Sequence, residues 1–212
     1  MSIVSGPEAV IDLAFHTARE QLPTAQLVYN DYMSWEPQHA KHCDDVLRLL
    51  EGFRKRGTPV DALHTSTMLR AVQTAEPLAR ERGLTPHTRS DLREYDAERS
   101  LYVPVARMAQ ADPAAWERMR AGYLPEHVDG AAFRARVCAG IEEVVAAHPG
   151  RATVVVVAHA GVVNAYLAEV LGIGRDLPFP LDYVGISRVV CARDGMRKVR
   201  TVNETTHVAD LL

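Results

Sequence analysis

The stretch Thr153, Val154, Val155, Val156, Val157, Ala158, His159, Ala160, Gly161 decides the fold. Four consecutive β-branched valines disfavour a helix and leave no polar face, so they suit a strand buried on both sides inside a covered, mostly parallel sheet. Val162 to Leu171 then reads as an apolar helix closed by Gly172. The succession of strand, turn and helix puts His159 at the carboxyl end of a strand and beside the free N–H groups of a helix start. That is the edge where open α/β sheets bind ligands, and it favours an anion. Taken alone, a histidine there is more simply a capping residue than a reagent.

Working outward, the segment before the valines carries Phe133, Val137, Ile141 and Val144 on one helical stripe, starting at Asp129 or Gly130 and ending before Gly150. Upstream, residues 60 to 64 read as a short strand. Thr65 and Ser66 cap the next helix, which holds Arg70 in its first turn and runs through Gln73 and Leu78 to Gly83. Val10 to Phe15 is a strand ending at His16. Thr17 to Gln38 has no sustained period and reads as loop, and Cys43 to Phe53 has helical spacing closed by Gly57 and Pro59. Asp91 to Glu126 is polar, with a short helix around Trp116 to Ala121 and Pro113 near its start, and it reads as an inserted lid rather than core. Gly185 to Ala192 and Lys198 to Val202, around Arg193, Asp194 and Gly195, form a hairpin. Strands alternating with helices imply a three-layer α/β/α sandwich with a mostly parallel central sheet and an antiparallel edge.

The composition sets bounds on the function. With 212 residues, 47% hydrophobic and 24% charged, the chain can bury a full core, and one domain over 1–212, with a lid at about 95–126, is expected. A net charge of -3 gives no broad basic surface, so neither nucleic acid nor an anionic membrane is expected as a partner. Three dispersed cysteines, Cys43, Cys138 and Cys191, argue against a disulfide framework or a thiolate metal cage and fit a reducing cytoplasm. There is no signal-peptide pattern and no 18-residue apolar run. His39 and His42 have helical spacing but no evident further ligands, so no metal or other cofactor is expected. A homodimer is left open.

Three strand-to-helix junctions each present a candidate: His16, Arg70 and His159. In a parallel sheet these junctions share one edge, so the three side chains converge. Two imidazoles and a guanidinium suit a phosphoryl group. One neutral imidazole attacks phosphorus while cationic donors hold the equatorial oxygens, and no metal is required.

The string His64, Thr65, Ser66, Thr67, Met68, Leu69, Arg70, Ala71, Val72, Gln73, Thr74, Ala75, Glu76 resembles the second motif of the histidine phosphatase superfamily, the phosphoglycerate mutase-like family. Val154 to Gly161 resembles its late motif, and Leu92, Arg93, Glu94, Tyr95 the segment carrying its acidic proton donor. Phe133 to Val137 and Asn203 to His207 also sit where members carry similar residues, so the resemblance spans roughly 10 to 208. It implies that His16 becomes phosphohistidine, that Arg70 and His159 bind the phosphoryl oxygens, and that Glu94 protonates the leaving oxygen and later helps water attack the phosphoenzyme. Read from the residues alone, Glu94 sits in a charged run with Arg93, Asp96, Glu98 and Arg99, where a solvated surface carboxylate is the plainer alternative. For Arg70 that alternative is a helix-surface ion pair.

The chain departs from the family at its first motif. Phe15, His16, Thr17 stands where members carry Arg, His, Gly, which removes one guanidinium and one unencumbered backbone approach to phosphate. The Thr17 hydroxyl and the Arg19 guanidinium are the candidate replacements. The residues after His16 also lack the pattern of members that act on phosphoglycerate, so mutase activity is not expected. Two functions remain: a phosphatase for a small phosphomonoester, or a member that has lost phosphoryl transfer and binds an anionic ligand. Tyr95, Arg99, Tyr102, Arg107, Trp116 and Tyr123 in the lid would contact the leaving group and admit sugars, nucleotides and carboxylates alike.

Overall fold

The computed structural model describes residues 9–15 as backbone, Arg48, Glu51, Lys55 and Gly57, and residues 59–98 and 105–209. The elements are β1 (Ala9–Phe15), β2 (Ala62–Ser66), α1 (Leu69–Arg82), β3 (His87–Arg89), a 3-10 turn (Ser90–Leu92), α2 (Val105–Ala111), α3 (Pro113–Arg120), α4 (Gly130–Ala147), β4 (Thr153–Ala158), α5 (Ala160–Leu171), β5 (Ile186–Cys191), β6 (Arg197–Glu204) and a 3-10 turn (Thr206–Val208). Arg48, Glu51 and Lys55 are helical, within the segment expected to be a helix.

The strands form a six-stranded sheet in the order β3-β2-β4-β1-β5-β6. The first four are mutually parallel, while β5 runs antiparallel to β1 and β6 antiparallel to β5. The valine strand is fully buried, and alternation sorts its residues. Val154, Val156 and Ala158 pack with α4 and α5 through Val137, Ile141, Val162 and Tyr166. Val155 and Val157 pack with Leu63, Ile186 and the inner face of α1, Ala71, Ala75 and Leu78. This is the α/β/α arrangement expected from four valines with no polar face.

Several boundaries correct the sequence reading. The strand expected at 60–64 runs from Ala62 to Ser66, two residues later, because Thr65 and Ser66 are fully buried and pair along the sheet rather than capping a helix. The helix starts at Leu69 with Met68 as its N-cap and no side-chain cap bond, while the Ser66 hydroxyl accepts from the Met68 N–H at 3.2 Å. The helix near Trp116 starts earlier, at Pro113, and is capped by Asp112, whose carboxylate accepts from Ala115 N–H at 3.0 Å. The second hairpin strand is longer than expected, Arg197–Glu204.

The stretch from 91 to 126 is also not all cover. Leu92 and Leu124 belong to the main core, and its exit is tied down by Leu177 N–H donating to Gly122 at 2.9 Å and by Leu124 N–H donating to Asp176 at 3.3 Å. Among the described residues, no helix is long and apolar enough to cross a membrane.

Candidate functional site

The parallel register sets the site. Phe15 of β1 lies beside Ala158 of β4, and Thr65 of β2 beside Val157, so the carboxyl ends of three strands lie along one edge. Arg70 and His159 leave the sheet at this edge. His16, Thr17 and Arg19 lie outside the described residues, as do Cys43, His39, His42, Arg99 and Tyr102; Phe15 is described as backbone only.

His159 is 0% exposed and is the N-cap of α5, with its carbonyl accepting from Val163 N–H at 3.0 Å. The imidazole makes no capping bond, which removes the plainer reading of a turn-capping residue. Neither ring nitrogen has a protein partner among the described residues. Burial holds the ring well below the usual imidazole range, and the charges of Arg70 and Arg136 push the same way. The sequence reading has it among the cationic donors. Burial and the two guanidinium charges thus favour the neutral ring, which has one N–H to donate and one nitrogen to accept.

Glu94 is not on a solvated surface. It is 6% exposed and faces the start of α5, with its carboxylate accepting from Gly161 N–H at 3.0 Å and Tyr95 N–H at 3.1 Å. One of the free helix-start donors read from the sequence is therefore already engaged by this carboxyl. A Cβ at Gly161 would overlap a carboxylate oxygen of Glu94 and stand 3.0 Å from the Tyr95 ring, so glycine here lets the carboxyl keep this position. Burial raises the Glu94 carboxyl to about 7, with help from Asp96, against the two N–H groups and Arg70, which favour the anion.

Arg70 is half-buried, in the first turn of α1, and its charge is felt at both Glu94 and His159. The structure thus brings together three of the four residues singled out for catalysis. Sequence reasoning missed Arg136 on α4, whose charge also reaches Glu94 and His159. Its signal was its place beside Phe133 and Val137, in a stretch noted as family-like but given no role.

Of the lid residues, Tyr95 packs edge-on against Phe133 at 6.1 Å between ring centres, Trp116 is half-buried and Tyr123 is exposed. Cys138 and Cys191 are free thiols. Among the described residues, no cluster of His, Cys, Asp or Glu is arranged to hold a metal ion.

Residues 47–205 match the histidine phosphatase superfamily (branch 1), and the chain belongs to that family. Residues 2–78 also match glycosyl hydrolase family 10, a stretch of well under half the chain. Its strands β1 and β2 are both part of the same six-stranded sheet. No curated protein matches the chain.

Among solved structures, the chain is similar to YhfR from Bacillus stearothermophilus, at 21% identity and a TM-score of 0.71, covering 94% of this chain and 99% of that one. It is similar to a mycobacterial glucosyl-3-phosphoglycerate phosphatase, at 19% identity and 0.69, covering 93% and 99%. Phosphoglycerate mutase from Bacillus anthracis aligns at 16% identity and 0.71, covering 96% of each. At these identities the likeness is one of fold.

Proposed function

We propose that the protein is a phosphatase that hydrolyses a small phosphomonoester through a phosphohistidine on His16. The observation that carries this reading is the buried Glu94 carboxyl, raised to about 7 beside Gly161, with Arg70 and His159 around it at the edge where β1 ends at Phe15. A ring nitrogen of His16 attacks phosphorus as the ester P–O bond breaks, and the leaving oxygen takes the proton of Glu94. Arg70 and the N–H of His159 hold the equatorial oxygens, joined by the Thr17 hydroxyl and Arg19. The Glu94 carboxylate then takes a proton from water as that water attacks the phosphohistidine, which releases inorganic phosphate and restores both groups. A carboxyl that titrates near 7 can serve as acid and then as base. The chain acts as one domain, cytoplasmic and without a cofactor, and residues 95–126 cover the leaving group.

Phe15 supports a second reading. It ends β1 where the resemblance calls for arginine, so the site has lost a phosphate-holding cation and binds an anionic ligand without phosphoryl transfer.

One screen separates the two. On a chromogenic aryl phosphate, wild type turns over with an acidic to neutral optimum, His16→Ala loses at least about 10³-fold, and Phe15→Arg gains about 10²-fold or more. Turnover that survives His16→Ala rejects the mechanism. A wild type with no turnover and no acid-labile phosphohistidine after incubation with a phosphodonor establishes the second reading.

A further inference from the structure

Arg136 has no part in the chemistry above, yet its guanidinium is engaged by several backbone carbonyls beside the site. It donates to the carbonyls of Asp91 at 2.6 Å and Arg93 at 2.9 Å, with a longer contact to Ser90 at 3.5 Å. These carbonyls belong to the backbone that runs directly into Glu94. The guanidinium also lies over the Phe133 ring at 5.0 Å, and that ring meets Tyr95, the residue after Glu94, edge-on. Arg136 is thus fastened on both sides of the carboxyl.

The same segment is tied to α4 a second time. Arg89 bonds the Asp91 carboxylate at 3.0 Å and also Glu143, and Asp91 packs on Gly140 so closely that a Cβ there would stand 2.6 Å from its carboxyl carbon. A planar fork with five donors can hold several carbonyls at once, which a lysine cannot.

We propose that Arg136 is a positioning residue for phosphoryl transfer: by gripping the carbonyls of residues 90–93 from α4, it holds the Glu94 carboxyl at the start of α5, in reach of the leaving oxygen. The proposal rests on the reading of Glu94 as proton donor. The Arg136 guanidinium is directed at these carbonyls; its charge also reaches His159, and a role through that charge would slow every ester alike. The proposed role acts through the placement of Glu94, and a displacement of about 1 Å in such a group can cost about 10²-fold.

The test is kcat/KM across aryl phosphates of graded leaving-group acidity, from dinitrophenyl phosphate, which needs no acid, to phenyl phosphate, which does. This parameter reports the steps up to loss of the leaving group, so water activation does not enter. Glu94→Gln is expected to lose about 10²-fold or more on the phenyl ester and little on the dinitrophenyl ester. Arg136→Met should reproduce that selectivity, with a loss of about 10- to 100-fold on the phenyl ester. The double variant should be no worse than Glu94→Gln alone, because an arginine that acts by placing the carboxyl has nothing further to lose once the carboxyl is gone.

Equal losses on every ester, or losses that multiply in the double variant, reduce Arg136 to a scaffold residue and overturn the proposal. Arg136→Lys keeps charge and stem but not the fork; it carries the same test should Arg136→Met fail to fold, and is expected to show the same selectivity in weaker form. If Glu94→Gln itself shows no leaving-group selectivity, the failure lies in the proton-donor reading, and the proposal falls with it.

Discussion

At Glu94, two physical effects oppose each other and the chain needs both. Two backbone N–H groups and the nearby Arg70 charge favour the anion, while burial and Asp96 favour the acid, and burial wins by enough to place the group near 7. The sign follows directly. The first half of the proposed reaction needs the protonated form, so kcat/KM on a phenyl ester should fall as pH rises through about 7. In Glu94→Gln that descending limb should disappear, and a limb that persists unchanged assigns it to another group. Nothing local in the sequence foretold this titration, since Arg93, Asp96 and Glu98 make the surroundings of Glu94 look solvated. The burial comes from the start of α5, where Gly161 meets the carboxyl from 67 residues further along the chain.

Among the elements, α4 carries two burdens: its apolar stripe covers one face of the valine strand, and Arg136 reaches the proton-donor segment. Its start is fixed by Asp129, whose carboxylate accepts from Ala132 N–H at 2.9 Å. Asp129→Ala should cost about 1 kcal/mol, seen as a melting point about 2–4 °C lower in a chain of this size. An unchanged melting point would show that packing of the stripe alone sets the helix end.

Elements whose signal is local were legible in the sequence. The valines, the 133–144 stripe and the Arg193-Asp194-Gly195 turn all appear where their spacing puts them. Strand β3 was not legible, because His87, Thr88 and Arg89 have no strand pattern of their own and are held by pairing with His64, Thr65 and Ser66. The site was legible in part for the same reason. The turns carrying Arg70 and His159 are local features, whereas the grip of Arg136 on carbonyls more than forty residues away is a product of the tertiary fold.

For the molecule as a whole, a buried histidine is expected to set part of the response to acid. His64 is 6% exposed, its Nε2 lies 2.9 Å from Nε2 of His148 at the end of α4, and its ring stacks near His87 of β3. Burial first, then the charges of His148, His87 and Arg89, lower it to about 4, with Asp91 opposing. A base whose folded pKa is lowered contributes stability that is present above its unfolded value near 6.5 and is lost as pH falls toward 4. For His64 that loss is up to about 3 kcal/mol. His64→Gln should therefore flatten the acid limb, so that urea denaturation shows its stability gaining on wild type between pH 7 and pH 4. Parallel pH profiles would place the acid sensitivity elsewhere.

The position of β1 governs how the chain can reach this structure. Residues 9–15 lie in the interior of the sheet, paired with 153–158 on one side and 186–191 on the other. On the ribosome both neighbours are made long after β1. Until they emerge, β1 is an unpaired apolar strand with two open edges, and the loop to be closed spans most of the chain. Folding is therefore expected to complete only after β5 has been synthesised, with β1 inserted late as the piece that joins the parallel half of the sheet to the antiparallel edge. The residue that attacks phosphorus in the proposed mechanism follows directly on this late strand in the chain, so a nascent chain cut short before β5 is expected to show no phosphoryl transfer.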